Sequence, residues 1–370
     1  MIHGGFGMAG AIIIVVALFT GANYYIINRC IAIFGGEISS RLSILLIALL
    51  ITLVAVGMQT AMFLDIKFFS ILGSIGSRLF ILIPLVAILM GIIQLFQVIL
   101  PENYRKIGGI IAFALLFLYL FGFGTYNTLS TKLTEVDIEV DGLGKPINLL
   151  YVADLHVDDI LSTVHLSRLK QEIELQKPDL VLFGGDFFNR ANIRQAEYFK
   201  ILSSITVPMY GVGGNHDGIG DDEAMNTVSK ITNIIFLDRI DIQQGIVIPE
   251  LGIQLIGVID KSRRKGQTIQ NLLSPYTFHS ALFSILLTHQ PIALEKLKDF
   301  PIDLELAGHT HRGQIIGPRE LVGFFNDYAY GLYSEGDRNA FVTQGIGTWG
   351  LPLRIGTRSE IVIIHLLPKK

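Results

Sequence analysis

The chain has 370 residues, 51% of them hydrophobic, and a mean hydropathy of +0.52. That length suits about two or three domains. A formal net charge of −3 argues against a binder that grips nucleic acid through a broad basic face, so no nucleic-acid partner is expected. The single cysteine, Cys30, excludes an intramolecular disulfide, leaves the redox compartment open and reads as a small apolar helix residue.

The apolar excess is confined to residues 1–130, which are expected to form a transmembrane anchor. Four stretches there lack Asp, Glu, Lys and Arg: Gly4–Asn28, Leu42–Leu64, Leu79–Leu100 and Ile107–Ser130. A helix needs about 20 apolar residues to cross a bilayer, and backbone polar groups in lipid must be satisfied within the segment. Four membrane-spanning helices are therefore predicted. Short loops between them carry Arg29, Glu37 and Arg41, then Asp65, Lys67 and Arg78, then Glu102, Arg105 and Lys106. Gly91, Gly108 and Gly109 fit either close helix contacts or helix ends, and Gly73 and Gly76 are expected in the second loop as turn residues. A cleaved signal peptide is disfavoured because Met1–Gly4 has no Lys or Arg. The spans also lack the buried charges of a pump or transporter, so an anchor is the better reading. Four spans put both termini on one side. Counting Lys and Arg in the loops favours cytoplasmic first and third loops and an extracytoplasmic C-terminal domain.

Residues 131–370 have ordinary globular composition. Strands are predicted at Ile147–Ala153, Leu180–Phe183, Met209–Val212, Ile253–Ile259, Ser284–Leu287, Leu304–Ala307, Phe341–Gln344 and Ile361–Leu367, all short and apolar on both faces. Helical stretches are expected around Val164–Gln176, Ile193–Ser204, Glu223–Lys230 and Ile292–Lys298. This alternation predicts an α/β domain with helices covering the sheet faces.

Five blocks of metal-ligand residue types follow predicted strands: Asp154-Leu155-His156, Gly185-Asp186, Gly214-Asn215-His216-Asp217, Thr288-His289 and Gly308-His309-Thr310-His311. Strand ends facing one way place their loops on one rim, so distant residues can converge. Carboxylate, imidazole and amide oxygen together suit divalent Mn, Fe or Zn, and there are donors for two ions. Asp186 has two oxygens and can bridge. Taken singly each block reads as an ordinary turn or cap. Together they use five of the chain's nine histidines; His3, His165, His279 and His365 lie outside them and read as surface or structural.

The order Asp-x-His, Gly-Asp, Gly-Asn-His-Asp, His, Gly-His-x-His resembles the calcineurin-like metallophosphoesterase superfamily over roughly Asn148 to the C-terminus. Gly308–Gln314, Gly345–Gly347 and Leu351–Arg354 are most similar to its bacterial membrane-associated branch. The resemblance implies an αββα sandwich. By position it implies one ion held by Asp154, His156, Asp186 and His311, and a second by Asp186, Asn215, His289 and His309. Two such ions lower the pKa of a bridging water, and the hydroxide attacks phosphorus in line. His216 then protonates the leaving oxygen or stabilises the transition state, with Asp217 orienting it or capping the next helix. One departure stands out. Where the protein-phosphatase branch has an Asp that orients the catalytic His, this chain has Asn189, so that side-chain dyad is absent. Asn189, Arg190, Arg263 and Arg264 are candidate substrate contacts, the last two within the basic run Lys261–Lys265, which fits either anionic recognition or a solvated loop.

The resulting expectation is a multi-pass enzyme of a bacterial cell membrane in which an anchored two-metal site hydrolyses a phosphomonoester, phosphodiester or pyrophosphate bond. Its expected partners are membrane lipids and a phosphorylated small-molecule or lipid substrate, since some members of the similar branch act on phosphorylated lipids or lipid-linked nucleotides. Two alternatives belong to other classes: a membrane scaffold or sensor with a structural metal site, and a transporter with a regulatory domain. Phe324, Phe325, Tyr328, Tyr330 and Tyr333 fit either ordinary packing or contact with a membrane interface.

Overall fold

The computed structural model describes residues 4–34, 41–61, 67–158, 161–218, 223–239, 245–315 and 322–369. The chain divides into two compact units, Met1–Gly122 and Phe123–Lys370.

The first unit is helical: α1 (Gly4–Phe34), α2 (Arg41–Ala61), α3 (Lys67–Ile99) and α4 (Glu102–Phe117), the last continuing as a π-helical run from Leu118. Four stretches are long and apolar enough to cross a membrane: Ile13–Ala32, Arg41–Met58, Leu82–Ile99 and Glu102–Leu129. Large apolar side chains such as Ile13, Leu42, Leu50 and Leu95 are exposed, an arrangement costly in water and natural against lipid. Polar side chains instead pair between helices. Asn23 donates to Thr52 Oγ1 (3.0 Å), Tyr25 to Gln94 Oε1 (2.9 Å) and Arg29 to Gln97 Oε1 (2.7 Å). A Cβ on Gly91 would lie 3.7 Å from the Tyr25 hydroxyl, so this glycine sits at a close approach of α1 and α3. The expected second loop is largely helix. Gly73, Gly76 and Arg78 all fall inside α3, because an apolar segment satisfies its backbone by staying helical and tolerates glycine there. Arg29 is likewise within α1, whereas Glu37 and Asp65 lie outside the described residues.

The second unit begins with α5 (Gly124–Leu129) and β1 (Lys132–Val140). It continues through β2 (Ile147–Val152), α6 (Ser162–Gln176), β3 (Leu180–Phe183), α7 (Ile193–Ala196), β4 (Met209–Gly211), α8 (Glu223–Thr232) and β5 (Ile235–Phe236). Then come β6 (Ile246–Ile248), β7 (Ile253–Gly257), α9 (Ile269–Leu273), β8 (Phe283–Leu287), β9 (Leu304–Ala307), β10 (Gly331–Glu335), β11 (Arg338–Val342) and β12 (Glu360–Pro368). The strands form two six-stranded sheets, β1-β12-β2-β3-β4-β5 and β10-β11-β9-β8-β7-β6. β2, β3 and β4 run parallel, as do β7, β8 and β9.

Side-chain alternation explains the layering. Leu149, Tyr151 and Leu182 of one sheet meet Leu255, Ile285 and Leu306 of the other in a shared core. The opposite face of the first sheet, with Leu150, Val152 and Phe183, packs on Leu166, Leu169 and Val228 of α6 and α8. The opposite face of the second sheet, with Ile256 and Leu286, packs on Ile269 and Leu273 of α9. Each central strand is buried on both faces, which is why it reads as an unbroken apolar run. The result is the helix–sheet–sheet–helix sandwich. The predicted helix at Ile193–Ser204 is one α-turn followed by a tighter 3₁₀ run, and Ile292–Lys298 is only a 3₁₀ turn. β1 escapes the apolar pattern because it is an edge strand whose residues alternate between charge and hydrophobe.

Candidate metal centre

The ligand residues stand just past the C-terminal ends of β2, β3, β4, β8 and β9, and their side chains converge. Asp154, His156, His311 and Asp186, His289, His309 each form a group whose donor atoms lie within 4.8 Å of one another. A third group, His156, Asp186 and His216, joins them. Asp186 Oδ2 lies 3.6 Å from His156 Nε2 and 3.2 Å from His289 Nε2, placing it between the two sets. Asn215 Oδ1 is 3.0 Å from His289 Nε2, and His309 Nδ1 is 3.2 Å from the same nitrogen.

The backbone is bent to make this possible. Asp154, His156, Asp186, His309 and His311 all have φ between 46° and 67°. Non-glycine residues rarely occupy that region, at about 1–3 kcal/mol each, and such strain gathers at functional sites. Two glycines make room. A Cβ on Gly214 would fall 2.1 Å from Asp186 Oδ1, and one on Gly185 (φ 91°) would fall 2.8 Å from His289 Nδ1.

The donor set fits a cation. His156 Nε2 and His311 Nε2 lie 3.0 Å apart with both rings buried. Burial lowers His156 to about 3 and pushes His311 well below its usual value, so both rings are neutral and turn lone pairs toward one point. Burial and the neighbouring Asp186 charge lift Asp154 to about 7, against the pull of His289. Burial would also raise Asp186, but His289, His156 and His216 hold it well below the carboxylate range. Burial opposes charge on His289, yet Asp186, Asp154 and Asp260 together raise it to about 10. A proton there occupies the position a cation would take. His289 Nδ1 sits 2.9 Å from the Gly184 carbonyl, which can only accept, so Nδ1 carries hydrogen and Nε2 is left to ligate. With divalent ions bound, the centre would supply Lewis-acid stabilisation of phosphoryl oxygens and an activated water.

His216 is half-buried beside these groups, its ring 4.9 Å from that of His156 in an edge-on arrangement. Its main-chain N–H donates to Asp186 Oδ1 (2.9 Å), and its Nδ1 donates to the Asn189 carbonyl oxygen (2.7 Å). Nε2 is thereby left for the site. Two expectations change here. Asp217 does not orient His216. Its oxygens accept the N–H groups of Phe187 (3.1 Å), Phe188 (3.0 Å) and Gly214 (2.8 Å), tying the loop after β3 to the loop after β4. Asn189, expected to contact substrate, instead turns its amide inward to the His156 carbonyl and Asp158 Oδ2, both at 3.3 Å. Its backbone carbonyl then takes the place of the missing aspartate as the partner of the His216 ring.

The cationic candidates separate in space. Arg264 donates from Nε to the Ile259 carbonyl (3.0 Å) and lines a cavity of about 500 Å³ with Lys261, Gln290, Lys296 and Phe325. Arg263 lies against Gly218, two residues beyond His216. Arg190 is half-buried next to Asn189. Tyr328 stacks on Tyr333 at 4.1 Å and Tyr330 donates to Glu360 Oε1 (2.9 Å), so the tyrosines are packed, while Phe324 and Phe325 are 80% and 88% exposed. Two residues near the ligands were given no role by the sequence, although Arg354 ends one of the segments that carry the family resemblance. Asp158 becomes visible only through its grip on Asn189. Arg354, fully buried, approaches His311 Nδ1 at 3.4 Å.

Comparison with known proteins agrees with this geometry. Residues 147–313 match the family model for calcineurin-like phosphoesterases. Over 278 residues the chain is 33% identical to a Helicobacter pylori J99 protein described as an uncharacterized metallophosphoesterase, covering 72% of each. It is 30% identical over 240 residues to phosphodiesterase YaeI of Escherichia coli K12, covering 60% of this chain and 83% of that one. A Danio rerio protein described as a transmembrane protein with metallophosphoesterase domain is 28% identical over 253 residues, covering 64% of this chain and 57% of its own. Fold and site together define a metal-dependent phosphoester hydrolase. Within that class the chain belongs to the calcineurin-like metallophosphoesterase family.

Proposed function

We propose that this chain is a membrane-anchored phosphoesterase with a two-ion centre, acting on an anionic, amphiphilic phosphoester such as a phosphorylated or lipid-linked head group. The observation that carries the two-ion reading is the shared position of Asp186 between the Asp154–His156–His311 and His289–His309 sets. In this reading Asp154, His156, Asp186 and His311 hold one ion, and Asp186, Asn215, His289 and His309 the other, either Mn, Fe or Zn. His216 is the proton donor to the leaving oxygen. Its Nδ1–H is fixed on the Asn189 carbonyl, so Nε2 faces the reaction. Arg263 lies against Gly218, two residues beyond His216, and Arg264 and Lys261 line the cavity beside Gln290, where Lys296 is paired with Asp327.

Three features support an amphiphilic substrate: the four apolar helices, the basic side chains of that cavity, and the exposed Phe324 and Phe325, the second on the cavity wall. Exposed aromatics of this kind suit the interface between head groups and hydrocarbon. The Lys and Arg distribution favours an extracytoplasmic catalytic domain, which a reporter fused after Lys370 tests directly. For the chemistry, purified full-length protein with Mn²⁺ is assayed on aryl phosphomonoester and phosphodiester substrates. His216→Ala is expected to lower kcat by at least about 100-fold with its metal retained. Full activity in that variant overturns the assignment.

A further inference from the structure

Arg354 is the largest fully buried side chain of the catalytic unit, and the reaction as proposed gives it no work. Its Nη2 donates to the carbonyls of Gln344 (2.8 Å), Gly345 (3.0 Å) and Gly347 (2.5 Å), and lies 3.4 Å from His311 Nδ1. The loop it clamps bonds in turn to the strand end that carries Asp154. Ile346 N–H donates to Ala153 O (3.1 Å) and Gly347 N–H to Asp154 O (2.8 Å). One guanidinium therefore fixes the loop that backs Asp154 and packs against the His311 ring. Its Nε and Nη1 have no hydrogen-bond partner among the described residues, a costly state for a buried cation.

The main chain of Arg354 is held by α5, the last turns of the fourth apolar stretch. Arg354 N–H donates to Gly124 O (3.1 Å), and Asn127 Nδ2 donates to Arg354 O (3.1 Å). Further on, Ser359 N–H donates to Asn127 O (3.1 Å) and Ser359 Oγ to Thr128 O (2.6 Å). Leu353 packs over Gly124, 3.4 Å from where a Cβ would stand. Asn127 and Thr128 are buried, although they belong to a stretch apolar enough to span a membrane.

We propose that α5 is a positioning element of the metal centre, with Asn127 and Gly124 fixing Arg354, and Arg354 fixing, through the Gln344–Gly347 loop, the main chain of Asp154. Arg354 and Asn127 are positioning residues rather than catalytic ones. The end of the apolar helix is then a working part of the site, beyond its use as an anchor. Among the described residues no hydrogen bond ties Arg354 to His289 or Asn215, so the two ion positions should respond differently. The inference rests on the two-ion reading above.

The test is Mn²⁺ titration of full-length protein in detergent, followed by calorimetry and by electron paramagnetic resonance of coupled Mn pairs. Wild-type protein should bind two Mn²⁺; binding of none or one sinks the two-ion reading and this inference with it. Outer-sphere partners of metal ligands are worth roughly 10–100-fold in affinity. Arg354→Gln is expected to weaken one Mn²⁺ site by that factor and leave the other within about twofold. Asn127→Ala and Gly124→Val should weaken the same site, by about threefold to tenfold, measured well below each variant's own thermal midpoint. Arg354→Lys, which keeps charge and a donor, should recover part of the loss. Two intact sites, or equal weakening of both, in Asn127→Ala and Gly124→Val overturns the inference even if Arg354→Gln does not fold.

Discussion

Replacing Asn189 by Asp restores on paper the carboxylate that the protein-phosphatase branch places at this position, and it should damage this protein. The Asn189 amide donates to the His156 carbonyl and to Asp158 Oδ2, each at 3.3 Å. An Asp side chain in the same rotamer would put an acceptor against two acceptors. Two unit charges 3.3 Å apart at an effective dielectric of about 20 repel by roughly 5 kcal/mol. Protonation of one carboxyl and the partial exposure of residue 189 reduce this, leaving about 2–4 kcal/mol. For a unit of this size that is a drop of roughly 5–15 °C in thermal midpoint. The loop would shift, and the Asn189 carbonyl would leave His216 Nδ1, so kcat should fall by at least about tenfold. The pH dependence follows from linkage. A like charge raises the folded-state pKa of the pair above its unfolded value, so the folded variant binds the extra proton. The penalty is then absent below the unfolded carboxylate pKa and grows as pH rises through the folded one. The stability gap to wild type should therefore narrow from pH 8 to pH 5, measured by urea unfolding with the single tryptophan, Trp349, as probe. An Asn189→Asp protein as active and as stable as wild type would show that a side-chain dyad is accessible here and refute the main-chain one.

Further outcomes follow from other residues. Asp186→Asn should reduce bound Mn at both positions, because the proposed reading makes Asp186, which lies near both His156 and His289, the shared ligand; elemental analysis showing two retained ions would remove it from that role. Glu305 is fully buried, accepts from Thr288 Oγ1 and Ile292 N–H at 2.8 Å each, and is pushed by burial to about 8. Its folded pKa exceeds its unfolded one, so wild-type stability should fall as pH rises from about 5 to 8, by up to about 1.4 kcal/mol per pH unit, and level off above that. Glu305→Gln should flatten the slope in metal-free protein, and an unchanged slope counts against a buried neutral carboxyl. Phe324 and Phe325 are so exposed that replacing both with Ala should alter stability by less than about 0.5 kcal/mol. The same variant should lose activity on vesicle-borne phospholipid severalfold while keeping activity on a soluble aryl phosphate. Equal activity on both substrates would remove the membrane-interface role.

The fold was legible where burial is two-sided. β3 and β9 match their predicted bounds because an apolar run between turn residues is all that a central strand requires. β1 was not, since an edge strand solvated on one side carries the charges of a surface segment. Glycine misled at Gly73 and Gly76, where the requirement that lipid-facing backbone bond to itself outweighs local turn preference.

The sequence by itself determined the donor types, their order and their position after strands, and these suffice for the family and its chemistry. It also determined that roughly a third of the chain is too apolar for water. Only the tertiary structure decided which groups serve each other. Asp217 looked like the partner of His216 by adjacency, but consecutive side chains in a tight turn point apart, and Asp217 meets the backbone of the neighbouring loop. Asn189 looked like a lost function because the missing carboxylate is a side-chain property, while the replacing acceptor is a carbonyl that every residue has. Arg354 stands 43 residues from His311, which it approaches at 3.4 Å, a proximity made by sheet packing that its sequence segment does not announce.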